Sequence, residues 1–135
     1  MRRILFLCTG NSARSQLAEA IMRHFRGGEF EVFSAGTEPK GVHPKTIEVL
    51  REIGIDAAGQ ISKHINDLPV KDFDYIITLC DSAAQNCPVF LGKGKKIHHG
   101  FADPAAVPGS GQDILELFRK VRDEIKDFLL SFEKE

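Results

Sequence analysis

Residues 3–22, RILFLCTGNSARSQLAEAIM, determine the fold that this sequence predicts. The segment RILFLC (3–8) is a continuous apolar run that is too short for a helix, which is typical of a strand buried on both faces. From Ala13 to about Arg26, apolar side chains recur at helical spacing and a pair of glycines follows. The polar loop between them therefore joins the carboxyl end of a strand to the amino end of a helix.

Strands and helices continue to alternate along the rest of the chain. Short apolar runs bounded by turn residues predict strands, and apolar residues at helical spacing predict helices. The further predicted strands are FEVFSAG (30–36), DYIITLC (74–80) and KKIHHGF (95–101), and the further predicted helices lie in HPKTIEVLREIG (43–54) and the segment 112–132. This pattern indicates a single α/β domain over residues 1–135, with a four-stranded parallel sheet in the order 2-1-3-4 and helices on both faces.

The composition excludes several classes of function. A chain of 135 residues with a net charge of -1 has no electrostatic field that would attract nucleic acid. No apolar stretch approaches the ~20 residues of a membrane helix, and the histidines lack the spacing of metal ligands. Three cysteines are an odd number in a chain too large to need disulfides, which favours a reducing compartment. We therefore expect a cytoplasmic monomer with no bound metal or cofactor and no nucleic-acid or membrane partner.

The loop after the first strand has the properties of an anion-binding site. The first N–H groups of a helix lack partners within it, and the helix dipole favours negative charge there. Gly10 allows close approach of the backbone, Asn11 tolerates the left-handed conformation, and Arg14 can donate two parallel hydrogen bonds to an oxyanion. The predicted oxyanion-binding loop consists of Thr9, Gly10, Asn11, Ser12, Ala13 and Arg14.

Cys8 stands where a bound anion would be attacked. The positive end of the helix favours the thiolate, which is the nucleophilic form of cysteine, and Ser15 can donate a hydrogen bond to the sulfur. The alternative is that Cys8 is a small buried residue, Arg14 a surface cation and Ser15 a helix cap. The C-x5-R-S spacing between a strand and a helix favours nucleophilic catalysis.

The segment CTGNSARS (8–15) resembles the phosphate-binding loop of the low-molecular-weight protein tyrosine phosphatase superfamily, whose fold is a four-stranded parallel α/β domain. The resemblance implies that Cys8 attacks the bound oxyanion and that Arg14 clamps it. It also implies that the aspartate of an Asp-Pro pair acts as the general acid. The Asp-Pro pair of this chain is Asp103-Pro104, just beyond the predicted fourth strand, although an aspartate at such a place is more often part of a plain turn.

The other two cysteines lie in TLCDSAAQNCP (78–88), which resembles the thioredoxin-coupled arsenate reductases of the same superfamily. The resemblance extends to SAG (34–36), GFADPA (100–105) and VRDEIK (121–126). It implies that Cys8 forms an adduct with arsenate and that a Cys8–Cys80 disulfide forms as arsenite leaves. Cys87 then attacks Cys80, and thioredoxin reduces the resulting disulfide. Phosphate and sulfate are expected as competing anions, and arsenic detoxification as the physiological role.

Geometry adds a prediction about the segment between Cys80 and Cys87. Residues seven apart in an intact helix have Cα atoms ~10 Å apart, whereas a disulfide requires roughly 4.4 to 6.8 Å. A helix at this place would have to unwind on oxidation. We therefore expect residues 81–87 to change from a helix to an exposed loop in the oxidised protein.

Three functions stay open. Arsenate reduction is favoured by the two additional cysteines, whereas a phosphatase acting through a phosphocysteine at Cys8 would need the loop alone. Against the phosphatase, AAVPGSGQ (105–112) has no aromatic residue of the kind that lines a phosphotyrosine slot in this superfamily. A non-enzymatic thiol sensor is the third hypothesis, but a sensor needs neither Arg14 nor Asp103.

A potassium site near the loop is a further feature of some members of the superfamily, formed by an asparagine, a glutamate and an acidic residue. Asn11 and Glu19 match the first two. Lys63 aligns with the third, and its ammonium group would replace the ion rather than bind it. We therefore expect activity that does not depend on potassium.

Overall fold

Four parallel strands form one sheet in the computed structural model, which describes residues 1–80, 94–105 and 111–133. The strands are β1 (Arg2–Cys8), β2 (Phe30–Gly36), β3 (Tyr75–Thr78) and β4 (Lys95–His98), in the order β2-β1-β3-β4. All three pairings are parallel. The predicted sheet order is therefore confirmed, and β1 lies at the centre because its apolar residues are covered on both faces.

The helices begin and end close to their predicted positions. They are α1 (Arg14–Arg26), α2 (Pro44–Arg51) and α3 (Gly111–Ser131), and a short 3-10 helix spans Ile65–Asp67. Within the segment 43–54, α2 occupies only the first part, because Gly54 has a φ of +82° and the chain turns there. None of the described helices is both long and apolar enough to cross a lipid bilayer.

The core lies between the sheet and the helices. Ile4, Leu5 and Phe6 of β1 have no exposed surface, as expected for a central strand with both faces covered. Helix α1 packs on β1, β2 and α3, and α2 packs on α1 and α3. The apolar residues at helical spacing along α3 and just after it are buried at five positions and half-buried at Ile114 and Phe128. The five buried residues are Phe118, Val121, Ile125, Leu129 and Phe132.

Buried arginines tie α3 to its neighbours. Arg122 donates to the carbonyl of Val49 at 3.0 Å and to the Glu52 carboxylate at 2.7 Å, which joins α3 to the end of α2. Arg26, at the end of α1, donates to the carbonyls of Leu129 and Phe132. Because a buried guanidinium is stable only with such partners, these contacts fix how α3 lies on the other two helices.

Candidate active site

The sheet brings Cys8 and Cys80 to the same edge. Leu7 of β1 pairs with Thr78 of β3, and the N–H of Leu79 donates to the carbonyl of Leu7 at 2.9 Å. Cys8 is therefore the last residue of β1, and Cys80 lies just beyond the end of the neighbouring strand. Both are buried thiols, with 3% and 9% of their surfaces exposed. The hydroxyl of Thr9 lies 3.4 Å from the sulfur of Cys80, so the first loop residue contacts the second thiol.

The loop between β1 and α1 is held by the segment 37–43, which we call the strap. Backbone N–H groups of Glu38, Lys40 and His43 in the strap donate to the loop carbonyls of Thr9, Gly10 and Ser12, at 2.9, 2.9 and 3.1 Å. In a trans peptide the carbonyl and the following N–H point in opposite directions. The loop N–H groups that follow these carbonyls therefore point away from the strap, as an anion cradle requires.

Asn11 is the turning point of the loop. Its φ of +46° lies in the left-handed region, and its side chain has no exposed surface. The amide oxygen accepts from the N–H of Lys63 at 2.7 Å and from the side chain of Gln16 at 2.9 Å. The amide nitrogen donates to the hydroxyls of Ser15 at 2.7 Å and Ser34 at 3.0 Å. All four hydrogen-bonding positions of this amide are thus occupied, which fixes the loop in its bent conformation.

The hydrogen bonds around Cys8 are donated toward its sulfur, from Asn11 to Ser15 and from Ser15 to Cys8. The hydroxyl of Ser15 lies 2.9 Å from the sulfur of Cys8. Because Ser15 already accepts from the amide nitrogen of Asn11, which can only donate, its own proton is available for the sulfur. The hydroxyl therefore donates to Cys8, and a donor in this position stabilises negative charge on sulfur.

A buried carboxylate lies behind this network. Ser34 donates to Glu19 at 2.6 Å, and Glu19 also pairs with Arg23 at 3.0 Å and with Lys63 at 3.4 Å. Lys63 donates in addition to the carbonyl of Ile61 at 2.6 Å. The ammonium group of Lys63 thus occupies the position beside Glu19 and supplies the positive charge that this carboxylate needs.

Arg14 and Asp103 meet across the cavity in front of the loop. The guanidinium of Arg14 lies 3.5 Å from the carboxylate of Asp103 and donates to the carbonyl of Phe101 at 3.1 Å. The other oxygen of Asp103 accepts from the N–H of Ala105 at 3.0 Å. The cavity has a volume of about 480 Å³; its walls include Cys8, Thr9, Gly10, Ser12, Ala13, Arg14, Lys40, His43 and Asp103.

His43 is a cavity residue that the sequence did not indicate. Its ring accepts from the N–H of Lys45 at 3.1 Å and so caps α2, and it packs on Phe118 with 4.8 Å between ring centroids. Burial, and secondarily the charge of Lys45, lower the pKa of His43 below its usual range, while Asp103 acts in the opposite direction. The imidazole is therefore neutral at pH 7 and can accept the capping hydrogen bond.

The sequence also missed several residues that hold the loop through contacts distant in the chain. Lys40, Gly36 and Ser34 contact it from positions more than twenty residues away in sequence. Local periodicity carries no signal for such contacts, and the resemblance of the SAG segment (34–36) to a family does not assign it a contact with the loop. Of the residues predicted from the sequence, Cys87 and the segment 81–87 lie outside the described residues. In the described part of the chain, no three histidine, cysteine or acidic residues form a group that could hold a metal ion.

Comparisons with known proteins agree with this architecture. The profile of the low molecular weight phosphotyrosine protein phosphatase family matches residues 3–135. The arsenate reductase of Halalkalibacterium halodurans is 42% identical over 129 residues, which cover 96% of this chain and 93% of that protein. A solved structure of an arsenate reductase in the phosphate binding state has a TM-score of 0.82 at 32% identity and covers 96% of this chain and 95% of that chain. A thioredoxin-dependent arsenate reductase of Corynebacterium glutamicum has a TM-score of 0.67 at 28% identity, over 97% of this chain and 63% of that chain. Since the family profile spans almost the entire sequence, the chain belongs to the low molecular weight phosphotyrosine protein phosphatase family.

Proposed function

We propose that this protein reduces arsenate to arsenite, with Cys8 as the nucleophile, Cys80 and Cys87 as the thiols of a disulfide relay, and thioredoxin as the electron donor. The observation that carries the proposal is the second buried thiol, Cys80, at the end of the strand beside Cys8 and in contact with Thr9. Phosphate hydrolysis does not require a second thiol. Arsenate is also the substrate named for relatives that match almost the whole length of this chain. We place the reaction in the cytoplasm, where such thiols stay reduced between turnovers.

The first step joins arsenate to Cys8. The loop N–H groups and Arg14 hold the oxyanion, and the thiolate of Cys8 attacks arsenic to form a sulfur–arsenic bond. The oxygen that leaves arsenic takes a proton from Asp103 and departs as water. Arg14 exchanges its contact with Asp103 for the oxygens of the anion, which places the acid beside the departing oxygen. Ser15 keeps the sulfur in the orientation for attack.

The second step transfers two electrons to arsenic. The thiolate of Cys80 attacks the sulfur of Cys8, so that a disulfide forms while the sulfur–arsenic bond breaks. The electron pair of the broken bond stays on arsenic, which is thereby reduced from arsenic(V) to arsenic(III) and leaves as arsenite. Cys87 then attacks Cys80 and releases the thiolate of Cys8. A dithiol of thioredoxin reduces the Cys80–Cys87 disulfide and is itself oxidised.

The test is arsenate-dependent oxidation of NADPH in the presence of thioredoxin and thioredoxin reductase. Wild type should turn over, and the three single variants Cys8→Ser, Cys80→Ser and Cys87→Ser should not. Cys87→Ser should still release one arsenite per protein and accumulate a Cys8–Cys80 disulfide, which mass spectrometry of the unreduced digest identifies. Normal turnover by Cys80→Ser or Cys87→Ser would exclude the relay.

Phosphatase activity is the second candidate, because Cys8, Arg14 and Asp103 are sufficient for it and the family profile is that of a phosphatase. The described walls of the cavity contain no phenylalanine, tyrosine or tryptophan to hold an aromatic leaving group. We therefore expect weak hydrolysis of an aryl phosphate that is retained in Cys80→Ser and lost in Cys8→Ser. If wild type hydrolyses aryl phosphate efficiently and reduces no arsenate, the phosphatase is the function. A thiol sensor without catalysis would do neither.

A further inference from the structure

Lys40 is a residue of the strap that lines the anion cavity and has no role in the reaction described above. Its backbone N–H donates to the carbonyl of Gly10 at 2.9 Å, which fixes its Cα against the loop. Its side-chain methylenes lie over Gly10, where a Cβ on that glycine would be 3.5 Å from the Cδ of Lys40. The side chain is one wall of the cavity that Cys8, Arg14 and Asp103 also line.

The charges around the cavity make this ammonium group distinctive. The charge of Arg14 is offset by Asp103, 3.5 Å away, and His43 is neutral because its pKa is lowered by burial. Among the residues that the structure describes, none forms an ion pair or a hydrogen bond with the ammonium of Lys40. Among the described residues of the cavity wall, Lys40 is therefore the cation whose charge is still available to an incoming anion.

The stem of Lys40 lies at ordinary contact distance from Gly10, since a Cβ there would be 3.5 Å from the Cδ and 3.7 Å from the Cγ of Lys40. The methylenes of a lysine can cover a surface in this way while the charged end stays accessible to solvent. The lysine is exposed, so that its removal leaves the packing of the core unchanged.

We infer that Lys40 captures the tetrahedral oxyanion, contacting the oxygens that face the strap while Arg14 holds those on the opposite side. This role extends the proposed function, since it assigns a further binding residue to the same site. Capture by Lys40 supplies a positive charge before Arg14 has left Asp103, so anion binding need not wait for that ion pair to open. The contact is the same in the ground state and the transition state, and it therefore affects binding rather than the chemical step.

The test compares Lys40→Gln with Lys71→Gln, which removes the same charge at the opposite edge of the sheet, before β3. Binding of inorganic phosphate to the reduced protein is measured by isothermal titration calorimetry, and steady-state arsenate reduction is measured in parallel. Lys40→Gln should raise the Kd for phosphate and the KM for arsenate about fivefold, the effect of a charge contact that water partly screens. The kcat should change by less than about twofold. Lys71→Gln should bind phosphate like wild type.

Two further measurements separate a direct contact from a general effect of charge or structure. Lys40→Arg should restore phosphate affinity, and added salt should weaken phosphate binding more in wild type than in Lys40→Gln. Unchanged phosphate affinity in Lys40→Gln would overturn the inference, and so would an equal loss in Lys71→Gln. If wild type reduced no arsenate, the proposed function would fail. The phosphate titration would still decide the role of Lys40.

Discussion

Replacing Gly36 by alanine should displace the anion loop. Gly36 ends β2 directly opposite Cys8 in the sheet. A Cβ at this position would lie 2.8 Å from the carbonyl oxygen of Cys8, 2.9 Å from the nitrogen of Asn11, and closer still to the carbonyl oxygen of Thr9. Ordinary contacts of a Cβ begin at 3.4 Å, so these separations are short by about 0.5 Å or more. Every neighbour is a backbone atom, and no rotation of a side chain can relieve the overlap.

The displacement of the loop determines how much stability and activity Gly36→Ala should lose. Overpacking of this kind typically costs about 1–3 kcal/mol, which we expect as the loss in the free energy of unfolding of Gly36→Ala measured in urea. A misplacement of about 1 Å in a catalytic group can lower a rate by about a hundredfold. The kcat/KM for arsenate should therefore fall by about one to two orders of magnitude. The stability loss alone would cause a smaller fall, because the variant is still folded at the assay temperature.

The matched control is Gly59→Ala. Gly59 has open space around it and no positive φ, so a Cβ there meets nothing within 4 Å. Its free energy of unfolding should be unchanged or slightly raised, because alanine restricts the unfolded chain more than glycine does. If Gly36→Ala folded with wild-type stability and reduced arsenate at the wild-type rate, the close approach of β2 to the loop would not be what positions Cys8.

Three other predictions concern groups around the loop. Since the ammonium of Lys63 occupies the position beside the buried glutamate, arsenate turnover in KCl and in NaCl of equal ionic strength should be the same, and a severalfold stimulation by potassium would contradict this role. Ser15→Ala should slow alkylation of Cys8 by iodoacetamide at pH 7 by about tenfold or more, the value of a hydrogen bond to a charged group, as followed by mass spectrometry; an unchanged rate would show that the hydroxyl does not stabilise the thiolate. The pKa of His43 is lowered below its usual 6.5 by burial and then by Lys45. As the pH falls through 6.5 the unfolded chain therefore takes up this proton first, and the stability present above that pH is lost toward the lower folded-state pKa. His43→Asn, which can still cap α2, should lose less stability than wild type between pH 7.5 and 5.5 in urea unfolding, and an equal loss would exclude His43 as the source.

The strands were predictable from local apolar patterns, and the sheet order and the edge that carries the site followed from the topology expected of alternating strands and helices. β1 is apolar over its whole length, and β2 coincides with the predicted segment 30–36. Parallel strands have their carboxyl ends at one edge, so the proximity of Cys8 and Cys80 followed from the order of strands alone. β4 is shorter than the predicted segment 95–101, because its outer face is exposed and its hydrophobic pattern is weak.

The supports of the loop could not be predicted in the same way. Gly36, Lys40 and Lys63 reach the loop through contacts across the fold. Gly36 is required because a Cβ would not fit where β2 approaches the loop, and Lys40 and Lys63 contribute backbone N–H groups that any residue except proline could supply. Only Lys63 was placed near the loop, by its resemblance to a family position, and no local pattern assigns Gly36 or Lys40 to it.

The geometry around Thr9 leads to a prediction of which thiol moves in the proposed relay. The loop that follows Cys8 is tied to the strap by three backbone bonds and to Lys63 through Asn11, so that Cys8 is held in place. Cys80 lies beyond the last ladder residue of β3, and its sulfur contacts the hydroxyl of Thr9. Moving Cys8 toward Cys80 would break the backbone hydrogen bonds that hold the loop. In the proposed relay we therefore expect Cys80 to approach a stationary Cys8, so that the anion site remains intact for the next substrate.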